Sequence, residues 1–268
     1  MTQHKKHTVI SLSRAAAEGK RLAGVTAYSF PMARFAQSAG MDLILVGDTV
    51  GMVELGYSST LPVTMDEMLH HCRAVRRGAP DTFVVGDMPF ASFQISSEEA
   101  VRNACRFIKE GGCDAVKLEW CGSGTDRIRA ISEAGILVMG HVGFTPQRTA
   151  QLGGCRIQGR AGTLEALIAQ AKSVEEAGAF CIVLEMVPPE AGEAVTRALS
   201  IFTIGVGAGP APRMQMMVLN DLLGMFDEFT PKYVRKYADI KGVATDALTR
   251  YVEDVRNEKY PGPENYYS

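Results

Sequence analysis

The sequence predicts an α/β fold, a (βα)8 TIM barrel with a C-terminal helical extension, on three observations. Short apolar runs alternate with longer amphipathic segments along the chain. The runs are apolar on both faces, as strands of a parallel sheet buried under helices must be. The length, 268 residues, suits one such barrel. An open doubly wound sheet would share the first two features, and the number of runs and the chain length favour the barrel.

The first run, LAGVTAY (22–28), leads into FPMARFAQSAG, a helical pattern that stops on Gly40. The second, DLILVG (42–47), packs four aliphatic residues before a glycine. TFVVGD (82–87) precedes SEEAVRNACRFIKEGG, with Gly111 as its stop. DAVKLE (114–119) precedes GTDRIRAISEAG, which ends on Gly135, and ILVMGH (136–141) precedes TLEALIAQAKSVEEAG, which ends on Gly178. FCIVLE (180–185) and FTIGVG (202–207) are the sixth and seventh runs, and a weaker one around Met216–Asn220 is the eighth. The four glycines are expected in the left-handed conformation that terminates a helix. In the tail, ATDALTRYVEDVRNEKY (244–260) reads as a helix that caps the barrel base or docks on a neighbouring subunit. No repeat beyond the βα unit and no low-complexity linker interrupts the chain, so residues 1–268 are expected to form a single domain.

Hydrophobic residues make up 46% and charged residues 22%, enough for a substantial core. A formal net charge of −2 gives no electrostatic reason to expect nucleic acid or an anionic membrane as partner. The first residues lack the apolar run of a signal peptide, and no stretch is apolar enough to span a bilayer. Six scattered cysteines, without a CxxC pair, read as reduced packing residues. The cytoplasm is the expected location.

The polar residues within the runs are what point to chemistry. Asp48 follows the second run, Asp87 ends the third, Lys117 and Glu119 close the fourth, His141 the fifth and Glu185 the sixth. Barrel strand ends converge on one mouth, where active sites are built. One such acid would read as a helix cap, but four acids, a lysine and a histidine in register read as a site. Oxygen donors without cysteine or paired histidine suit a hard cation such as Mg²⁺. An incomplete cage of this kind is completed by a bidentate ligand such as a 2-oxo acid, whose enolate the metal would stabilise. Lys117 would neutralise the substrate carboxylate, or, in the competing role, form a Schiff base with a carbonyl. A carboxylate outside the metal shell would act as base. His141 would bond substrate or orient its loop. The GVGAG run (205–209) lacks the spacing of a dinucleotide loop and reads as a tight turn.

In order and spacing, LILVGDTVGM, GYSSTLPVTMDEM, AVRRGAP, VVGDMPF, AVKLE, GHVGFTPQ, VLEMVP and IGVGAG resemble the ketopantoate hydroxymethyltransferase family, from Thr8 into the tail. The resemblance implies a barrel of the phosphoenolpyruvate mutase and isocitrate lyase type. It also implies Mg²⁺ and hydroxymethyl transfer from 5,10-methylenetetrahydrofolate to 3-methyl-2-oxobutanoate, giving 2-dehydropantoate on the pantothenate route. By motif, Asp48, Asp87 and Glu119 bind metal, with Glu119 acting directly or through water. Asp48, Thr49, Asp87 and Lys117 bind substrate, with His141 placed beside them, and Glu185 is the proton acceptor. A homo-oligomer, a decamer by family resemblance, is implied as well.

The chain departs from the family pattern at several positions. Ser29 stands where TAYD has its acid, Ser58 replaces an acid in the GY-D-ST segment, Trp120 and Cys121 replace a glycine pair, and Arg213 and Met214 follow GAG where Asp-Gly is usual. These changes keep open a paralogue acting on a different 2-oxo acid, and a metal-dependent 2-oxo acid lyase or aldolase on the same barrel. A catalytically silent metabolite-binding barrel is a third reading, which four retained carboxylates at one mouth oppose.

Overall fold

A computed structural model describes residues 6–267 apart from 123, 161 and 227. Among these residues eight parallel strands close into a barrel in sequence order. They are β1 (Leu22–Thr26), β2 (Leu43–Val46), β3 (Phe83–Asp87), β4 (Ala115–Glu119), β5 (Val138–Gly143), β6 (Cys181–Glu185), β7 (Phe202–Val206) and β8 (Met214–Met217). Pairing of β8 back onto β1, with Gly24 opposite Met216, is what an open doubly wound sheet lacks. Helix α1 (Val9–Ala17) precedes the barrel, and α2 (Phe30–Ser38) follows β1. Helices α3 (Val50–Val53) and α4 (Met65–Gly78) follow β2, while α5 (Ser97–Lys109), α6 (Gly124–Glu133), α7 (Leu164–Glu176) and α8 (Pro189–Ala198) follow the next four strands.

Helix starts are fixed by local chemistry. Thr8 and Ser11 form a capping box at α1, Thr64 and Glu67 another at α4, and the hydroxyls of Ser29 and Ser96 cap α2 and α5. Three of the four expected glycine stops are left-handed, with φ of 79° at Gly40, 84° at Gly135 and 101° at Gly178. The fourth expectation fails by one residue: Gly112, at φ 71°, makes the turn instead of Gly111. Gly111 is needed for a different reason, since a Cβ there would lie 2.7 Å from the Phe107 carbonyl oxygen. The eighth strand also lies two residues earlier than its apolar signal. Met214 and Met216 alternate into the core, whereas Leu219 already starts the next helix, so the run merged a strand end with a helix start.

The barrel interior is one apolar cluster. Leu43, Leu45, Phe83, Val85, Ala115, Met139, Cys181, Val183, Ile204, Met214 and Met216 meet there, and α1 adds Leu12 and Ala16. Strand side chains alternate with period two. Two residues beyond Val85, Ala115, Met139 and Val183 are Asp87, Lys117, His141 and Glu185, and Glu119 is two further on. The rule that packs the barrel therefore aims these polar groups into its C-terminal end.

The chain divides into two compact units, residues 1–218 and 219–268. The second contains α9 (Leu219–Leu222) and α10 (Ile240–Arg256). Asp239 caps α10 through the Gly242 N–H at 3.0 Å, which starts this helix four residues before the predicted segment. No residue of α10 is buried. Among the described residues no helix is long and apolar enough to cross a membrane.

Candidate active site

The C-terminal ends of β2 to β6 bring all the predicted charged residues together. Lys117 Nζ donates to both Asp87 oxygens, at 2.7 and 2.8 Å. The Asp48 backbone N–H donates to Asp87 Oδ2 at 3.1 Å, which pins the β2 loop to β3. Gly47 allows this: a Cβ there would fall 2.9 Å from Thr49 Oγ1 and 3.8 Å from Asp87 Oδ2. His141 stands between two acids, its Nδ1 3.9 Å from Glu119 Oε1 and its Nε2 3.4 Å from Glu185 Oε2. Thr49 is held from behind, 2.6 Å from the hydroxyl of the fully buried Tyr28.

The motif GHVGFTPQ ends on Gln147, a residue with no role predicted from the sequence. Gln147 turns out to touch both sides of the cluster. Its backbone N–H donates to Glu119 Oε2 at 3.1 Å, and its side-chain Nε2 donates to Asp48 Oδ2 at 2.9 Å. Tyr28 was likewise unassigned. Neither a neutral amide nor a buried phenol stands out in an apolar sequence as a carboxylate does.

Electrostatics in this enclosure are dominated by burial. Burial, followed by the charge of Asp87, pushes the Asp48 carboxyl up to about 7. Burial also holds Glu119 well above the usual carboxylate range. For Lys117 burial alone would favour the neutral amine, but Asp87, Asp48 and Glu119 outweigh it and raise its pKa. Lys117 is thus kept as an ammonium, which opposes its use as a Schiff-base nucleophile. Burial, and then the Lys117 charge, lower His141, which favours the neutral ring. Among the described residues, Glu119 Oε1 and both His141 ring nitrogens are buried without a hydrogen-bond partner. Glu185 differs from its neighbours: its side chain is 17% exposed, against 2% for Asp87 and Glu119. It is the carboxylate open to a molecule entering the mouth.

Glu185 is positioned by unusual backbone. Gly143 on the adjacent strand has φ 96°, and a Cβ there would lie 2.3 Å from the Glu185 carbonyl oxygen. Met186, directly after Glu185, has φ 48°, a left-handed conformation that non-glycine residues adopt at a cost. Gly143→Ala should therefore destabilise the protein by about 1–3 kcal/mol, read by chemical denaturation. Parent-like stability would show that the β5–β6 corner yields easily.

Among the described residues no three His, Cys, Asp or Glu side chains stand as a ready-made metal cage. The hydrogen bonds explain why: Lys117 engages both Asp87 oxygens, and the Gln147 N–H engages Glu119 Oε2. The carboxylates nevertheless outnumber the cations. Among the described residues, Asp48, Asp87 and Glu119 act on the Lys117 ammonium, and Glu185 lies beyond them next to His141.

A family model for ketopantoate hydroxymethyltransferase matches residues 6–263. The chain belongs to the ketopantoate hydroxymethyltransferase family. The 3-methyl-2-oxobutanoate hydroxymethyltransferase of Moorella thermoacetica is 50% identical over 268 residues, covering 100% of both chains. That of Alkaliphilus metalliredigens is 48% identical over 264 residues, 98% of this chain and 93% of the relative. Among solved structures, 2,3-dimethylmalate lyase, of the PEP mutase/isocitrate lyase superfamily, has a TM-score of 0.62 at 18% identity, covering 97% of this chain and 91% of that one. Phosphonopyruvate hydrolase has a TM-score of 0.63 at 12% identity, covering 97% and 91%. These two likenesses concern the fold.

Within this ketopantoate hydroxymethyltransferase family member, the unusual positions lie outside the carboxylate cluster. Ser29 caps α2, a task an aspartate would also perform, and Ser58 is exposed. Met214 packs inside the barrel core beside Leu12 and Leu22, and the Arg213 carbonyl accepts the Leu22 N–H at 3.0 Å. Trp120 carries the Arg148 guanidinium 5.1 Å from its ring centroid. It lines a cavity of about 220 Å³ together with Thr145, Gln158 and Gln170. Cys121 is only partly buried beside it.

Proposed function

We propose that the chain transfers a hydroxymethyl group from 5,10-methylenetetrahydrofolate to 3-methyl-2-oxobutanoate, giving 2-dehydropantoate in pantothenate biosynthesis. The observation that carries the reading is the single mouth where Lys117 pairs with Asp87 beside Asp48, and His141 stands between Glu119 and Glu185. Family membership and the names of the relatives support the reaction. The donor set fits Mg²⁺: the residues supply oxygens, burial and mutual repulsion raise the Asp48 and Glu119 carboxyls in a way that a bound cation would relieve, and among the described residues Glu119 Oε1 is buried without a hydrogen-bond partner. Asp48 and Asp87 would hold the ion, with Glu119 completing the site directly or through water. Bound there, Mg²⁺ would polarise the keto oxygen of a 2-oxo acid and stabilise the charge that develops on it.

The protein groups divide the remaining work. Lys117 spends two of its three donors on Asp87 and offers the third to the substrate carboxylate. Thr49, steadied by Tyr28, adds a hydroxyl beside it. Glu185, the exposed acid, removes the C3 proton, and His141 lies close enough to its Oε2 to steady the carboxylate as a neutral ring. We further propose that the chain assembles as a homo-oligomer, a decamer by family resemblance. In support, α10 buries no residue and exposes Val243, Leu248, Tyr251 and Val255.

Exchange of the C3 proton of 3-methyl-2-oxobutanoate, followed by NMR, tests the chemistry without folate. Chelation should reduce exchange to background and added Mg²⁺ should restore it. Borohydride with substrate should leave the enzyme active. Cation affinity should rise as pH passes through about 7, where Asp48 gives up its proton. Full-rate retro-aldol cleavage of 2-dehydropantoate to 3-methyl-2-oxobutanoate and formaldehyde in the absence of tetrahydrofolate would overturn the transferase reading in favour of a lyase.

A further inference from the structure

We infer that Gln147 and Gln94 form a directional clamp that sets the Asp48 and Glu119 carboxylates at the spacing a divalent cation requires. The inference rests on the proposed cation site and adds two positioning residues to it. Gln147 sits in the short 3-10 turn Pro146–Arg148 after β5, and is 6% exposed. Two of its polar groups reach three different strand ends. The backbone N–H holds Glu119 at the end of β4, and the side-chain nitrogen holds Asp48 after β2 and the Met88 carbonyl after β3, the last at 2.9 Å.

The amide orientation is determined by its partners. The Met88 carbonyl only accepts, and so does Asp48 Oδ2 once ionised, so the group facing them is the NH₂, with both hydrogens in use. Gln147 Oε1 must then face a donor, and it does: Gln94 Nε2 donates to it at 3.0 Å. Gln94 is fixed in turn, because its own Oε1 accepts the Phe93 backbone N–H at 3.3 Å. The loop that presents Gln94 is tied down as well. Asn103 donates to the Ser92 carbonyl at 2.7 Å and Arg127 to the Phe93 carbonyl at 3.2 Å. The chain of donors thus starts on backbone, passes through two amides, and ends on the carboxylate proposed to hold the cation. A flipped Gln147 would point an oxygen at Asp48, so Gln94 prevents a repulsive alternative. Outer-shell partners of this kind commonly alter metal affinity when removed.

The test measures Mn²⁺ binding by electron paramagnetic resonance of the free ion, beside thermal unfolding of the metal-free protein. Gln147→Met, which keeps the side-chain length but removes the amide donor, should weaken Mn²⁺ binding by about 100-fold, and Gln94→Ala, which touches neither carboxylate, by about 10-fold. Gln94→Ala keeps the test open if Gln147→Met fails to fold. Parent-like Mn²⁺ affinity in Gln94→Ala and in a folded Gln147→Met would overturn the clamp and leave the cation site intact. A lowered unfolding temperature with unchanged Mn²⁺ affinity would also overturn it, since that is the mark of a loop anchor. Absence of Mn²⁺ binding by the parent protein would bring down the cation site and the clamp together.

Discussion

Glu185→Gln is expected to lower C3 proton exchange of 3-methyl-2-oxobutanoate by about 10²–10⁴-fold, the range that a positioned general base supplies. The substitution keeps size and polarity but removes the proton acceptor. Substrate and Mn²⁺ affinity should stay within a few fold of the parent, because Lys117 and the Asp48 backbone are held by Asp87 rather than by Glu185. Placement favours Glu185 over the other acids. Asp87 is engaged by Lys117, Asp48 by Gln147, and Glu119 is 2% exposed. Glu185 alone among the four combines exposure of 17% with a neighbouring imidazole. If the Gln variant exchanges at the parental rate, the base is elsewhere. Loss of exchange together with loss of Mn²⁺ binding would make Glu185 part of the cation site instead.

The parts of this site legible in the sequence are those that break an apolar strand pattern. Asp87, Lys117, Glu119, His141 and Glu185 each continue the inward period of a strand that starts with apolar core residues, so a polar group there had one direction to face. Asp48 was legible for a related reason, as the first polar residue after LILVG. Gln147 was not, because its bonds to Asp48, Met88, Gln94 and Glu119 span 99, 59, 53 and 28 residues. Only closure of the barrel creates those neighbours. Helix α1 escaped notice as a source of core for the same reason: Leu12 and Ala16 look like an ordinary amphipathic face until the strand starts surround them. Met214 was misleading in the opposite sense. It counts among the departures from the family pattern beyond the GVGAG turn, yet strand alternation places it in the core.

Lys117→Met should destabilise the metal-free protein by about 3–5 kcal/mol, because it removes one partner of a buried ion pair and leaves the other uncompensated. The pair is enclosed, with side-chain exposures of 5% for Lys117 and 2% for Asp87, so water cannot take over the lost contacts. Replacing a lysine stem by methionine keeps most of the apolar volume, which confines the effect to charge. The penalty should shrink as pH is lowered, since Asp48 and Glu119, already pushed upward by burial, then take up protons and relieve the excess negative charge. The double variant Lys117→Met/Asp87→Asn should recover much of the stability by removing both charges, while 3-methyl-2-oxobutanoate binding stays lost. Divalent cation should stabilise the Lys117→Met protein more than the parent, because the ion then supplies the only positive charge in the mouth. Urea denaturation at two pH values, with and without Mg²⁺, measures all of these. A single variant as stable as the parent at neutral pH would show that the four carboxylates do not depend on this ammonium. The electrostatic account of the mouth, with Lys117 as its central charge, would then fail.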